Sequence, residues 1–270
     1  MRRFHLFEFE DQAWFPDIIR DAGTAYLEFV SRRAGQSDAL APVVARAVEK
    51  SPEHRIIDLC SGGAGPIPSV LAALPDLGDP PVTATLTDLY PNHEAFVRVA
   101  KENPAISAIH ESVDATDFPE KLSGVRTLFS GLHHFRPEQA KSILRSAAEA
   151  RQPIGVFEVV ARHPVAMFAM FFVPILVLFT VPLLRPFRWG WIPLTYLVPV
   201  IPLFILWDGL VSCLRCYTQD ELREMTKEIG SDDYDWEVGP IELAGAPFEG
   251  CYLIGSPRRA STSPDAPGNA

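Results

Sequence analysis

The sequence predicts a doubly wound α/β fold with a mostly parallel sheet, and three observations support this prediction. The chain has 270 residues, enough for one such domain with additional segments. Segments with strand-like and helix-like patterns alternate from residue 55 to residue 160. The connections between them have the short lengths typical of α/β proteins. We therefore expect parallel strands joined by helices that cover both faces of one sheet.

Residues 1–50 are predicted to form an N-terminal helical cap. Apolar residues recur at helical spacing over 4–34, which indicates one or two amphipathic helices, and another helix is predicted over 39–50. Acidic residues follow soon after Met1, so the N-terminus lacks the apolar stretch of a secretory signal. We therefore expect a cytoplasmic catalytic domain.

The α/β domain itself is predicted over 51–163 and 208–256. Its helices are expected at 67–74, 92–102, 137–150 and 218–229, the last opened by a capping box between Thr218 and Glu221. Its strands are expected at 55–59, 82–87, 106–112, 127–130, 154–160, 235–242 and 251–256. The remaining residues, 257–270, are rich in Ser, Pro, Ala and Gly and are predicted to be disordered.

An apolar insertion, 164–207, interrupts the α/β pattern after the fifth strand. Residues 164–184 and 189–207 contain no charged side chain, and each stretch is close to the ~20 residues that cross a bilayer as a helix. Arg185 and Arg188 lie in the turn between them, where the positive-inside tendency disfavours a full crossing. The alternatives are a spanning helical hairpin, a shallow re-entrant hairpin, and helices packed within the protein. Contact with the inner, cytoplasmic membrane through 164–207 is the expectation.

A glycine-rich turn follows the first predicted strand, in the run Asp58-Leu59-Cys60-Ser61-Gly62-Gly63-Ala64-Gly65. Small residues there let a ligand approach the backbone at the carboxyl end of a parallel strand. The turn is not a phosphate-binding P-loop, because no Gly-Lys-Ser/Thr follows, and it lacks the third glycine of a dinucleotide fingerprint. A tight turn without any ligand is the alternative.

This run resembles the first motif of class I S-adenosylmethionine-dependent methyltransferases, an apolar strand followed by Asp-Leu-Gly-Cys-Gly-x-Gly. Cys60 and Ser61 replace the Gly-Cys pair, Gly62 is kept, and Ala64 or Gly65 occupies the position of the last glycine. The substitutions exchange one small residue for another. The resemblance implies a seven-stranded, Rossmann-like sheet whose last strand is antiparallel and inserted between its neighbours.

Three further segments match that superfamily in the expected order. Asp88 and Leu89 end the second strand, where the family's acid binds the cofactor ribose, and Asp114 and Ala115 follow the third, where an acid meets the adenine amino group. Ser130 begins the segment after the fourth strand that faces the methyl donor. The resemblance thus implies S-adenosylmethionine as cofactor, bound by Asp58, Cys60, Ser61, Gly62, Gly65, Asp88, Leu89, Asp114, Ala115 and Ser130.

Candidate catalytic residues are His133, His134 and Glu158. The two histidines lie where an acceptor should approach, and an imidazole can take a proton near neutral pH. Glu158 stands among apolar residues near the end of the fifth strand, so its carboxylate needs a partner. For each residue a purely structural role is the alternative.

Composition excludes several other classes of function. The net charge of −10 gives no attraction to nucleic acid, and four cysteines are too few for a disulfide framework. Cys213 and Cys216 form a C-x-x-C without a second pair, so no metal site is predicted. We expect O- or C-methylation of a small, lipophilic acceptor. The alternatives are a catalytically silent, membrane-associated protein that binds S-adenosylmethionine or a partner, and a nicotinamide-dependent oxidoreductase, which the absent fingerprint disfavours.

Overall fold

A computed structural model describes residues 1–119, 121–230 and 233–258, and a seven-stranded sheet forms its centre. The strands are β1 Arg55–Leu59, β2 Thr83–Leu86, β3 Ile106–Ala108, β4 Val125–Phe129, β5 Ile154–Glu158, β6 Tyr234–Glu242 and β7 Glu249–Pro257. The helices are α1 Asp17–Arg33, α2 Gln36–Val48, α3 Ile67–Ala73, α4 His93–Glu102, α5 Pro137–Glu149, α6 Pro164–Met170, α7 Val173–Thr180, α8 Trp191–Tyr196, α9 Val200–Arg215 and α10 Gln219–Ile229.

The strand order is β3-β2-β1-β4-β5-β7-β6. The first five strands are parallel, whereas β7 is antiparallel to both β5 and β6. The prediction of a mostly parallel, seven-stranded sheet with an inserted antiparallel last strand is therefore confirmed. The order reverses between β1 and β4, the place where open α/β sheets bind ligands.

Alternating residues of the strands face two hydrophobic cores. Ile56 packs into a cluster with α2, α3 and α4, whereas Ile57 packs on the opposite face with α5 and α10. This alternation follows from the two-residue period of a strand and gives the sheet two buried faces. The capping box of α10 is present as predicted, with Thr218 and Glu221 bonded reciprocally.

The N-terminal cap differs from its prediction over residues 1–16, which are not helical. This segment, the N-terminal strap, runs along α9. The backbone N–H groups of Phe9 and Glu10 donate to the two carboxylate oxygens of Asp208, and Phe4 N–H donates to the carbonyl of Leu214. Because α9 satisfies these backbone groups, the strap needs no helix of its own.

The apolar insertion is a set of short helices and not two long ones. Prolines occupy the first turns of α6 and α7 and the N-cap of α9, positions at which the missing N–H is tolerated. The insertion packs against α1 in a third hydrophobic cluster that includes Tyr26, Val181, Trp191 and Phe204. Helix α9 runs past residue 207, the predicted end of the insertion, and continues to Arg215.

The turn of the insertion also differs from that of a spanning hairpin. Arg188 lies 2.7 Å from Asp21 of α1 and 3.0 Å from Glu94 of α4, so the turn is paired with the α/β body. Among the described residues, no helix alone has the length and apolarity to cross a bilayer, although α6 with α7 and α9 with α10 qualify as bent pairs. Of the predicted disordered segment 257–270, residues 259–270 lie outside the described residues.

Candidate active site

The glycine-rich turn after β1 lies at the carboxyl edge of the sheet, beneath α1. Gly62 has a φ of 54°, and a Cβ there would lie 3.2 Å from the Thr24 methyl group. Gly63 has an equally close contact with Thr24. The absence of two side chains thus lets Thr24 of α1 pack directly against the backbone of the turn.

Asp58, in β1, is 2% exposed and fixes the start of this turn. Its carboxylate accepts hydrogen bonds from the hydroxyls of Ser61 and Thr127, each 2.7 Å long. Burial raises its pKa to about 7, although both hydrogen bonds oppose the shift. Because both oxygens are engaged inside the protein, Asp58 shapes the turn, and its direct contact with a cofactor stays a prediction.

Asp88, at the end of β2, lies directly beside the same turn. One carboxylate oxygen accepts the N–H of Gly62 at 2.7 Å and the other accepts the N–H of Tyr90 at 2.7 Å. Burial raises the pKa of Asp88, and these two hydrogen bonds oppose the shift. Each oxygen has a further lone pair for a hydroxyl group. Leu89, the next residue, is 43% exposed at this edge.

Asp114, Ala115 and Ser130, which were also predicted to bind the cofactor, lie in different environments. Asp114 is exposed, and its Oδ1 accepts both the N–H and the hydroxyl of Thr116. Its Oδ2 makes no hydrogen bond to another described residue. Ala115 is buried in the core below. Ser130, with a φ of 48°, follows β4 and donates its N–H to Phe157 of β5.

Cys60 and Gly65 complete the turn, and both have positive φ angles. Cys60 is half-buried, and burial raises the pKa of its thiol, so the side chain is uncharged at neutral pH. Cys213 and Cys216, the residues of the C-x-x-C, are both buried and form no disulfide.

His133 and Glu158 form a buried pair at the ends of neighbouring strands. The Glu158 carboxylate lies 2.7 Å from Nδ1 of His133 and also accepts the His133 backbone N–H at 3.2 Å. The two side chains are 3% and 0% exposed. The pair therefore holds the imidazole in one orientation and commits its Nδ1, which leaves Nε2 for other contacts.

His134 stacks on His133, with ring centroids 4.5 Å apart, and meets the N-terminal strap. Its Nδ1 lies 2.8 Å from Asp11 and 3.1 Å from Glu8. Burial disfavours the charged imidazole, but Glu8 and Asp11 outweigh it and hold the pKa of His134 well above its usual value. Arg215 of α9 also binds Asp11, at 2.6 Å.

The sequence did not indicate that the strap reaches this place. Glu8 and Asp11 lie more than 120 residues from His134 along the chain, and Thr127 was assigned only to a strand. The alternation of acidic and aromatic residues over 7–11 was the available signal. This alternation indicates an extended segment with one acidic face and one aromatic face, but it does not predict what either face contacts.

A cavity of about 440 Å³ opens beyond the carboxyl end of β5. It is lined by Val160, Arg162, Cys216, Tyr217, Phe248 and Cys251, among others. The Arg162 side chain is 3% exposed and pairs with Glu221 at 2.6 Å. Its Nε and Nη1 have no hydrogen-bond partner among the described residues. The lining also includes the polar residues His163, Thr218, Gln219 and Glu249. The cavity thus combines apolar and polar walls with a buried cation.

An S-adenosyl cofactor fits the residues at the turn. The lone pairs of Asp88 can accept ribose hydroxyls, and the glycine-rich turn beside it has no side chains at Gly62 and Gly63, where Thr24 of α1 packs against the backbone. Helix α1 would form the outer wall, with Arg20 over the Tyr90 ring and Thr24 bonded to Asn92.

No protein family and no curated protein matches the sequence. Among solved structures, the plantazolicin methyltransferase BamL, in complex with a triazolic desmethylPZN analog and SAH, has a TM-score of 0.50 at 9% identity, with 90% of this chain and 98% of that chain covered. The plantazolicin methyltransferase BpumL in complex with SAH has a TM-score of 0.47 at 12% identity, covering 90% and 96%.

A larger enzyme is also similar. The O-methyltransferase NcsB1 from neocarzinostatin biosynthesis, in complex with S-adenosylmethionine and 2-hydroxy-5-methyl naphthoic acid, has a TM-score of 0.45 at 15% identity. The match covers 85% of this chain and 60% of NcsB1. At these identities the likeness concerns the fold.

Proposed function

We propose that this chain, which has the class I methyltransferase fold, transfers a methyl group from S-adenosylmethionine to a small acceptor. The observation that carries the proposal is the hydrogen bond between Asp88 and Gly62. It joins the acid at the end of β2 to the glycine-rich turn after β1, on one side of the point where the strand order reverses. A ligand at that point would meet a carboxylate and the backbone of a glycine-rich turn together.

The cofactor would lie along the carboxyl edge of β1 and β2. Asp88 would bind the ribose hydroxyls, Asp114 the adenine amino group, and the Gly62 turn the methionine part. When bound, S-adenosylmethionine supplies an electrophilic sulfonium methyl group, so the protein needs mainly to align the acceptor with it. Ser130 follows β4, next to the place where donor and acceptor would meet.

The acceptor would approach beside His133 and His134. Glu158 holds His133 by two hydrogen bonds, so the imidazole is oriented before the acceptor binds. The cavity beyond β5 lies on the same edge, and its volume suits a small molecule. Arg162 would attract an electron-rich group there, because its Nε and Nη1 need acceptors.

A lipophilic acceptor, taken up at a membrane surface, is the finer part of the proposal. The structure exposes 24 large apolar side chains among the described residues, and fifteen of them lie between Val165 and Trp207. Soluble monomers rarely expose so much apolar surface on one segment without a membrane or partner contact. We infer that the insertion binds at the interface of one membrane leaflet and does not span the bilayer.

The test is methyl transfer from isotopically labelled S-adenosylmethionine to lipid extracts and to soluble metabolite extracts, read by mass spectrometry. Labelled product from the lipid extract, absent with the Asp88→Ala variant, is the expected result. Saturable binding of S-adenosylmethionine without any labelled product would instead assign the chain to silent binding proteins of this fold. Product only from soluble extracts would overturn the lipophilic acceptor and leave methyl transfer intact.

A further inference from the structure

Three metal-ligating side chains converge above the carboxyl ends of β4 and β5. Glu8, His133 and His134 each offer one donor atom within 4.8 Å of the donors of the other two. Glu8 is 0% exposed and His133 is 2% exposed. Two imidazole nitrogens and one carboxylate oxygen at this separation need only small side-chain shifts to reach one ion at bond lengths of about 2.0–2.2 Å.

The Glu8 carboxylate is only partly satisfied by the protein. Its Oε1 accepts the hydroxyl of Ser212 at 3.2 Å and lies 3.5 Å from Arg215. Its Oε2 is buried and makes no hydrogen bond to any described residue, although Nδ1 of His134 lies 3.1 Å away. A buried carboxylate oxygen without a hydrogen bond is costly, and a cation would offset that cost.

His133 is held as metal-binding histidines usually are. Its Nδ1 is engaged by Glu158 at 2.7 Å, which leaves Nε2 as the nitrogen free to bind an ion. Carboxylate–histidine–metal arrangements of this kind fix the ring and raise the basicity of the ligating nitrogen. Glu158 itself is buried, and among the described residues its carboxylate forms hydrogen bonds only with His133, so its role is to orient His133.

Negative charge exceeds positive charge around the cluster. Glu8, Asp11, Glu158 and Asp208 lie in or beside it. The positive groups that face them are Arg215, which contacts Glu8 and Asp11, and His134, which pairs with the same two carboxylates. Arg215 is 2% exposed. A divalent ion in place of the His134 proton would bring the buried charges closer to balance. It would also tie the strap to the sheet, since Glu8 comes from the strap and both histidines follow β4.

We propose that Glu8, His133 and His134 bind a divalent first-row transition-metal ion, with Zn²⁺ as the reference ion. The two nitrogen donors favour such ions over Mg²⁺ and Ca²⁺, which prefer oxygen ligands throughout. Three protein ligands leave at least one coordination position for water or for an oxygen of the acceptor. The inference stands on geometry alone and does not require the proposed methyl transfer.

The experiment measures metal binding by the full-length chain. Metal-stripped protein is dialysed against Zn²⁺ and its content measured by elemental analysis, and Co²⁺ is titrated with visible absorption as the readout. One equivalent of Zn²⁺ and a Co²⁺ spectrum typical of nitrogen and oxygen ligands are expected. Glu8→Gln and His134→Asn should each weaken Zn²⁺ binding at least tenfold, and Glu158→Gln should weaken it by about 10–100-fold through His133.

Two controls test other metal-binding groups of the chain. His93→Asn removes one of two histidines whose Nδ1 atoms lie 3.2 Å apart near the surface, and Cys213→Ser with Cys216→Ser removes the cysteine pair. Both controls should keep full Zn²⁺ binding. Loss of binding in either control, or unchanged binding in Glu8→Gln and His134→Asn, would place the ion elsewhere and overturn the proposal.

Two further measurements separate folding and function from metal binding. Circular dichroism and thermal melting of each metal-free variant identify any that fail to fold, and His134→Gln then replaces His134→Asn. Wild-type protein that binds no Zn²⁺ or Co²⁺ would show that the cluster is an ion-pair network only. Calorimetric titration of S-adenosylmethionine into metal-free protein tests the cofactor site separately, so failure of one proposal does not imply failure of the other.

Discussion

The carboxylate of Glu158 lies 2.7 Å from Nδ1 of His133, across the ends of the adjacent strands β5 and β4. The same carboxylate accepts the backbone N–H of His133, so one side chain sets both the position and the ring orientation of the histidine. Both groups are buried, which keeps water from competing for these hydrogen bonds.

Glu158→Gln should lower kcat by about 10–100-fold while the affinity for S-adenosylmethionine stays within about twofold, because the amide removes the charge that orients His133. Labelled methyl transfer gives kcat, and calorimetry gives the affinity. Glu237→Gln, which alters an exposed ion pair with Arg46, is the matched control and should change neither. An equal loss in both quantities would mean that Glu158 merely stabilises the fold.

Asp88→Ala should weaken S-adenosylmethionine binding by about 1–3 kcal/mol, because charged hydrogen bonds to the ribose would be lost. Calorimetric titration measures this change. The control is Asp76→Ala, which removes a similar hydrogen bond, to the N–H of Gly78, from an exposed loop. Affinity unchanged in Asp88→Ala would remove this carboxylate from the cofactor site.

Asp58 should make stability depend on pH. Its folded-state pKa of about 7 lies above the unfolded value near 4, so the folded protein holds this proton more tightly. The associated stability is complete below about pH 4 and is lost as the pH rises through 7. Relative to Asp58→Asn, the wild-type free energy of unfolding should therefore fall by about 2–3 kcal/mol between pH 5 and pH 8.

Urea unfolding of both proteins at each pH measures this difference, and the subtraction cancels other titrating groups that the two proteins share. Thr127→Val, which removes a hydroxyl bonded to Asp58, should destabilise the protein at both pH values and keep the pH trend. A difference between wild type and Asp58→Asn that does not change with pH would contradict the raised pKa.

Trp191→Ala should destabilise the protein by about 3–5 kcal/mol, since a large buried side chain is lost from the cluster that joins α1 to the insertion. Trp191 is 1% exposed and donates its indole N–H to the carbonyl of Ile18 at 2.7 Å. Trp189, two residues earlier, is 81% exposed. Trp189→Ala should therefore leave thermal stability nearly unchanged, and similar melting temperatures for the two variants would refute this packing.

Replacing exposed apolar residues of the insertion should weaken membrane binding. Phe168, Phe179 and Trp189 are 64%, 73% and 81% exposed, and a triple replacement by Ser should lower partitioning onto phospholipid vesicles at least tenfold. Leu27→Ser with Val97→Ser, at sites 54% and 58% exposed elsewhere, is the control for hydrophobicity in general. Co-sedimentation with vesicles is the measurement. Wild-type protein that stays in solution would contradict the membrane contact.

Local sequence patterns were enough to predict the strands and helices of the α/β domain, whereas the antiparallel last strand was implied by the resemblance to class I methyltransferases. Strand β1 occurs over Arg55–Leu59 as predicted, and the start of α3 at Ile67 and the capping box of α10 were also correct. These features depend on periodicity, glycine and capping residues, which act over a few positions. The apolar insertion was predicted for the same reason, but its packing against α1 was not.

The sequence by itself determined the alternation of strands and helices, the glycine-rich turn and the acid that follows β2. Only the tertiary structure decided that the strap lies along α9, that the insertion packs on α1, and that Glu8 reaches His134. These contacts join residues separated by more than 120 positions, and no local pattern specifies them. They form because buried carboxylates and apolar helix faces each require partners, and folding selects those partners from the whole chain.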